Sequence, residues 1–215
     1  MISAIIPVLN AAPTLPACLA ALEEAGEVIV VDGGSTDGSV EAARRGGARL
    51  VAAPKGRGSQ LRAGADAASG SWLLFVHADT LLSDGWREAA EAHIAGSRAP
   101  ACFRFRLDDN AWQARLIERG VGLRVRLLGL PYGDQGLLIS RGDYDAAGGY
   151  RPLPLMEDVD LVRRIGQVRV LAAEAVTSAA RWRRDGWARR SLRNLACLAL
   201  HRMGASPARL AALYE

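Results

Sequence analysis

Short apolar and β-branched runs alternate through the first part of the chain with longer Ala- and Arg-rich stretches of helical period. That order is expected when buried parallel strands are joined by crossover helices. The pattern predicts strands over 3–8, 27–31, 49–52 and 71–76, with helices over 14–24, 38–45 and 59–68 between them. Beyond residue 80 the periodicity is less regular. It predicts a strand over 101–107, an Arg-rich helix over 112–128 and a strand over 136–140. Turn signals over 142–150 and at Arg151-Pro152-Leu153-Pro154 then precede an acidic helix start at Glu157 and Asp158. The fold class expected is α/β, a Rossmann-like, mostly parallel central sheet flanked by helices.

After Trp182 the chain turns basic, with Arg183, Arg184, Arg189, Arg190, Arg193 and Arg202, while Ala188, Leu192, Leu195, Ala199 and Met203 recur at helical spacing. This C-terminal helix is amphipathic; its apolar face either packs on the core or lies on an anionic membrane. A chain of 215 residues, half of them apolar, can bury one sizeable core, and no repeat or linker divides it. The net charge of +4 suits an anionic partner, whether a diphosphate, an acidic membrane surface or nucleic acid. No nucleic-acid-binding motif accompanies it. Cys18, Cys102 and Cys197 are too scattered for a metal site and read as reduced thiols. Neither a secretory leader nor a run of about 20 apolar residues appears, so a cytoplasmic protein, peripheral at most to the inner membrane face, is expected.

Ligands of open parallel sheets bind beyond the carboxyl ends of the strands, here Asn10, Asp32, 54–58 and 77–79. No GxGxxG follows the first strand and no GxxxxGK[ST] occurs, which weakens a dinucleotide-binding reading and excludes a P-loop. Instead Val30-Val31-Asp32-Gly33-Gly34-Ser35-Thr36-Asp37-Gly38 offers a carboxylate at a strand end, where Asp32 can contact a base or ribose and Thr36 or Asp37 can cap the next helix. Pro54-Lys55-Gly56-Arg57-Gly58-Ser59-Gln60 sets two cations among glycines before a helix N-terminus, suited to an anion or simply a solvated turn. His77 and Asp79, alternate positions of extended chain, point the same way and can address one divalent cation whose shell phosphate oxygens and water complete.

Taken together, IIPVLN, VVDGGSTDGS, the Gly-rich turn before SQLRAG, and FVHADT resemble, in order and spacing, the family 2 glycosyltransferases of GT-A fold. The similarity is greatest to their short bacterial rSAM/selenodomain-associated transferase 2 branch. The resemblance covers at least the first 160 residues. It implies a nucleotide-diphosphate sugar donor bound near Pro7, Leu9, Asn10, Asp32, Gly34, Arg57, Gly58, Gln60, His77, Ala78 and Asp79. It also implies Mg2+ or Mn2+ on Asp79 with His77, and Asp158 of the Glu157–Asp158 pair as the base acting on an acceptor hydroxyl. One departure is His77, where the family's DxD motif has its first aspartate; another is Ser178, where processive members carry the glutamine of QxxRW before Arg181 and Trp182. Asp134, Gln135, Glu157, Arg181 and Trp182 are expected on the acceptor side, with Asp134 as rival base. A single base implies inversion at the anomeric carbon, by analogy with direct displacement in glycoside hydrolysis.

The organisation expected is then one domain over 1–215, with a nucleotide half (1–80), an acceptor half (81–180) and a basic helical segment (181–215). The acceptor is unidentified; the basic segment would bring the protein to a lipid-linked one. The rival readings are a nucleotidyltransferase, which would want a basic Gly-rich loop after the first strand, and a non-catalytic nucleotide- or membrane-binding module whose donor site has decayed at His77.

Overall fold

The four apolar runs of the first part form β1 (Ile2–Val8), β2 (Glu27–Asp32), β3 (Arg49–Ala52) and β4 (Trp72–Phe75), joined by α1 (Leu15–Ala20), α2 (Ser39–Arg45) and α3 (Arg57–Ala67). There follow β5 (Thr80–Leu82), α4 (Trp86–Gly96), β6 (Ala101–Leu107), α5 (Trp112–Leu128), a 3-10 turn (Gly133–Gln135), β7 (Leu137–Ser140) and α6 (Arg141–Ala146). The last elements are α7 (Glu157–Ile165), β8 (Arg169–Thr177), α8 (Ala180–Asp185) and α9 (Trp187–Arg202). This computed structural model describes residues 1–153, 155–205 and 209, with only the backbone of His201 and Arg202. Pro154 of the expected turn, the Arg202 side chain, and 206–208 and 210–215 of the expected C-terminal segment lie outside the described residues.

The strands form one sheet in the order β3-β2-β1-β4-β7-β6-β8-β5. Pairings of β1 with β2 and β4, of β2 with β3, and of β6 with β8 are parallel. Those of β4 with β7, β6 with β7, and β5 with β8 are antiparallel. The first part is thus the expected parallel array, and the second extends it as a mixed sheet. Helix α1 is shorter than the pattern suggests, because after Ala20 the chain tightens into i→i+3 turns such as Leu22 N–H to Leu19 O (3.0 Å).

Strand β1 is buried from Ile2 to Val8, so its two faces feed two cores. Ile6 and Val8 join Leu15, Leu22 and Trp86 on one side; Ile5 joins Ile29, Leu61 and Tyr150 on the other. Each such side chain contributes roughly 1.5–3 kcal/mol. Helix α3 reaches this second core closely because Gly64 meets β1, where a Cβ would come 2.4 Å from Ile5 Cγ2. The β1–β4 ladder stops at Ile5, two residues before Pro7, which has no N–H to extend it. Beyond that point the two strands part, and the residues after β4 are free to form a cleft.

Helix α9 overturns the expectation that its apolar face packs on the core. Leu192 and Leu195 are 67% and 62% exposed, and Met203 is exposed as well. Arg190 is buried, and Arg190 and Arg193 turn instead towards Asp185 (3.1 and 3.5 Å). The buried Arg190 and half-buried Arg193, both reaching Asp185, hold the helix's polar side in, which leaves Leu192 and Leu195 out. Cys197 faces inward with Leu198. All three cysteines are free, buried thiols, and burial pushes Cys18 and Cys102 up to about 12.

Gln60, expected near the donor, is buried, and its Nε2 donates to both Val8 O and Val31 O (2.8 Å each). It clamps the carboxyl ends of β1 and β2 from beneath, a correction to its expected role at the ligand surface. Gln60→Leu should cost about 1–2 kcal/mol in urea unfolding, because Val31 O loses this donor and Val8 O keeps the Gly33 N–H. Loss of less than about 0.5 kcal/mol would show that those carbonyls need no clamp.

Candidate active site

The glycine-rich motif after β2 is stitched to the loop after β1. Asp32 accepts from Gly34 N (3.0 Å) and Ser35 N (3.1 Å), and Asn10 Oδ1 accepts from Thr36 N (2.8 Å). Ser35 Oγ accepts from Asn10 N (2.9 Å), and Asp37 accepts from Ala12 N (3.0 Å) and Ser39 N (3.0 Å). Gly38 occupies the N-cap position of α2, yet Asp37 accepts the N–H of Ser39, the first residue of the helix, while also holding the loop after β1; Thr36 only joins the two loops. Asp32 is likewise engaged by its own loop, although a carboxylate retains lone pairs for a further donor. Asn10 adopts φ 54 and lies exposed beside Leu9, while Pro7 is buried in the strand. A non-glycine residue there stores on the order of 1–3 kcal/mol, a strain that clusters at functional loops. Gly34 (φ +94) has open space around it.

The basic turn departs further from expectation. Gly58 is buried, and a Cβ there would lie 2.1 Å from Arg151 O, so it serves the packing of α3 under the 151–153 segment instead of facing a ligand. Arg57 Nε pairs with the buried Glu157 (2.7 Å), which joins the turn to the start of α7. Burial raises the Glu157 carboxyl, against the pull of Arg57. Glu157 lies buried behind the turn, with Oε1 on Arg57 and its Oε2 without a hydrogen-bond partner among the described residues. Lys55 is exposed.

His77 and Asp79 do point the same way, while Ala78 between them turns into the core, a second correction to the expected donor contacts. They line a cavity of about 100 Å³ together with Arg57, Tyr132, Gly133, Asp134, Met156, Asp158, Arg181, Trp182 and Asn194. Burial, with Arg57 beside it, holds the His77 imidazole down to about 4, against Asp79 and Asp158. It is neutral at physiological pH and can offer a lone pair. Asp158 is fixed by two backbone donors, Gly133 N to Oδ2 and Val159 N to Oδ1, both at 2.7 Å. A Cβ at Gly133 would sit 2.6 Å from His77 Nε2 and 3.6 Å from Asp158 Oδ2, so only glycine packs this closely against the imidazole. Met156, the N-cap of α7 at φ 64, turns the helix so that Asp158 reaches this point.

Asp134 is held through its backbone: Thr177 Oγ1 donates to Asp134 O (3.1 Å) and lies 2.8 Å from Thr80 Oγ1. Its Oδ1 is buried and has no hydrogen-bond partner among the described residues, as is true of Asn194 Oδ1 and Trp182 Nε1. Such orphaned atoms call for an explanation, and a polar ligand is one. Burial pushes the Asp134 carboxyl up to about 6, aided by Asp158 and Asp79 and opposed by Arg124. Gln135 does not reach this cavity; it is buried, donating to Phe103 O (3.2 Å) and lying 3.4 Å from Arg124 Nη2. Trp182 both lines the cavity and packs on Phe105, Leu107 and Ala114. Sequence reasoning missed Tyr132, Met156 and Asn194, none of which carries a motif; they arrive through tertiary folding of α7 and α9. A much larger groove, about 1260 Å³, opens elsewhere beside α5 and holds none of this chemistry.

The Glycosyl transferase family 2 model matches residues 3–149 of the chain. A PGL/p-HBAD biosynthesis glycosyltransferase of Mycobacterium tuberculosis is 38% identical over 112 residues, 47% of this chain and 44% of that protein. The chain thus covers less than half the length of this relative. Staphylococcus aureus TarS (residues 1–349) in complex with UDP-GlcNAc superposes with a TM-score of 0.62 at 18% identity, over 82% of this chain and 58% of that one. Glucosyl-3-phosphoglycerate synthase from M. tuberculosis, in complex with Mn2+, UDP and phosphoglyceric acid, superposes with a TM-score of 0.56 at 19% identity, over 79% and 67%. At these identities the structural likeness is one of fold, and that fold is GT-A.

The buried Asp134 gives a testable sign. Its folded value, about 6, exceeds the ordinary 3.8, so ionising it opposes folding. The penalty is absent below about pH 4, grows to about pH 6 and is complete above, worth about 3 kcal/mol at most. Asp134→Asn should therefore stabilise the protein by about 1–3 kcal/mol at pH 7.5 and leave it unchanged at pH 4. Equal unfolding free energies for both proteins at pH 7.5 would contradict this.

Proposed function

The chain belongs to glycosyl transferase family 2, and from that premise we propose that it is a metal-dependent, inverting glycosyltransferase that moves a sugar from a nucleotide-diphosphate donor to an acceptor hydroxyl. The observation that carries this reading is the meeting of His77 and Asp79, from the end of β4, with Gly133 and Asp158, from either side of β7 and α6, in one cavity. The motifs through FVHADT favour the rSAM/selenodomain-associated branch. The described residues act as one unit, with 1–80 binding nucleotide and 81–180 presenting the acceptor.

Asp79 and the neutral His77 would hold the divalent cation. Among the described residues no three His, Cys, Asp or Glu side chains enclose a metal by themselves, which fits an ion whose shell is completed by phosphate oxygens and water. Gly133 packs against His77 Nε2 and so sets the imidazole beside Asp79 and Asp158. A bound Mg2+ or Mn2+ supplies Lewis-acid stabilisation of charge on the departing diphosphate. Arg181, exposed at the cavity mouth, adds positive charge to the same end. The loops around Asn10, Asp32 and Gly34 take the nucleoside, and Trp182 closes the apolar wall.

Asp158 acts as the base. Its two backbone donors fix the carboxylate and leave the remaining lone pairs to receive the acceptor proton. Attack from the face opposite the diphosphate inverts the anomeric carbon. Asp134 is the second candidate, favoured by its buried, unpartnered Oδ1.

In a thermal-shift panel of UDP, GDP, CDP and TDP and their sugars, one nucleotide should raise the melting temperature only with Mn2+ or Mg2+, and Asp79→Ala should abolish that shift. No shift with any nucleotide would leave a decayed binding module as the better reading. Asp158→Asn should keep the shift yet slow metal-dependent donor hydrolysis by roughly 10²–10⁴-fold. If Asp134→Asn does this and Asp158→Asn does not, Asp134 is the base. Product NMR with retained anomeric configuration would contradict inversion.

A further inference from the structure

Helix α5 carries its polar-to-apolar pattern the wrong way round for a surface helix. Its inner face is thin, with Ala114 and Val125 buried and Ile117 and Val121 partly so. On its solvent face Trp112, Leu116, Leu123 and Leu127 are 71%, 60%, 56% and 68% exposed. The spacing i, i+4, i+11, i+15 sets all four on one stripe. Isolated exposed leucines need no explanation, but a continuous stripe along one helix does.

The stripe borders the large groove, whose walls include Arg104 of β6, Arg119 and Arg126 of α5, Arg163 of α7 and Arg169 at the start of β8. None of these five has an ion-pair partner among the described residues. The acids nearby are already engaged. Glu118, the only acid of α5, pairs with Arg106 and Arg115, and Asp108 and Asp109 pair with Arg183. The surface thus joins a row of large apolar side chains to uncompensated guanidinium groups.

We propose that the solvent face of α5 and the arginines beside it form a docking surface for an anionic lipid bilayer. The leucines and Trp112 sink into the interface, and the arginines meet headgroup phosphates. A soluble polyanion would use the arginines and leave the stripe in water; a bilayer satisfies both. Helix α9, the segment in which the sequence placed the basic membrane face, exposes leucines but turns Arg190 and Arg193 inward and, among the described residues, keeps only Arg189 outward beside them. The denser pairing of apolar stripe and outward charge belongs to α5 and the five arginines of its groove.

The test is co-sedimentation of the full chain with vesicles of phosphatidylcholine alone or mixed with phosphatidylglycerol. Wild type should bind only the anionic vesicles. Leu116→Asp/Leu123→Asp and Arg119→Glu/Arg126→Glu should each weaken binding by roughly tenfold or more, with melting temperature and circular dichroism unchanged. Trp112→Ser, at the most exposed position, repeats the first arm should the leucine pair fail to fold. Leu192→Asp/Leu195→Asp should bind as wild type. Loss only in the α9 pair would assign the membrane face to α9 and overturn the proposal. Loss only in the arginine pair would reduce it to electrostatic adsorption and overturn insertion. Equal recovery with both vesicle types, or a dimer in light scattering that the α5 leucine pair dissolves, would also overturn it.

Discussion

The cleft depends on one short hydrogen bond, from Gly133 N to Asp158 Oδ2 at 2.7 Å. It joins the segment before β7 to the first turn of α7 directly above His77. Everything around it is arranged to permit that contact. Gly133 has no side chain to strike the imidazole, and Met156 accepts a left-handed backbone so that α7 begins at the right angle. Arg57 grips Glu157 from the α3 side. A carboxylate fixed by backbone donors pays little entropy to be in place when a substrate arrives, which is the sense in which a site is preorganised.

The fold delivers those pieces through a change of sheet character. Up to β4 the strands are parallel, and ligand-facing loops gather at their carboxyl ends. Antiparallel pairing of β7 with β4 then brings the residues preceding β7 to the same edge as those following β4. Pro7 ends the β1–β4 ladder early, so the edge opens where His77 and Asp79 emerge. Asp134 and Asp158 are remote in sequence from Asp79 yet reach it because the returning strand runs the other way.

The first part of the fold was legible because its signals are local. Buried parallel strands read as apolar runs, and β1 to β4 and β6 lie within a residue or two of where the periodicity set them. The stretches of β8, α4 and α6 have no such signature. In β8 the alternation of buried Leu171, Ala173 and Ala175 with Ala172 and Glu174 uses good helix formers, and only pairing with β6 and β5 makes a strand of it. At the site, His77 and Asp79 were identifiable as strand-end chemistry, Asp134 and Asp158 only through the resemblance to a family, and all four line the cavity. Gln60, Gly58, Ala78, Gln135 and Glu157 belong to the same motifs, but the structure uses them as clamp, packing and support. A motif fixes which residues occur together, not which of them face the ligand. That distinction depends on burial, which sequence alone does not carry. The direction of α9 is a case of the same kind, decided by the pairing of Arg190 and Arg193 with Asp185.

The central claim is that the donor diphosphate and its cation bind at Asp79 and His77, whose imidazole packs directly against Gly133. Calorimetric titration of Gly133→Ala measures this most directly, using Mn2+ and whichever of UDP, GDP, CDP or TDP stabilises the wild type. The account predicts that binding falls below detection while circular dichroism stays native, since a Cβ would sit 2.6 Å from His77 Nε2. Wild-type affinity in Gly133→Ala would contradict it and place the ligand elsewhere.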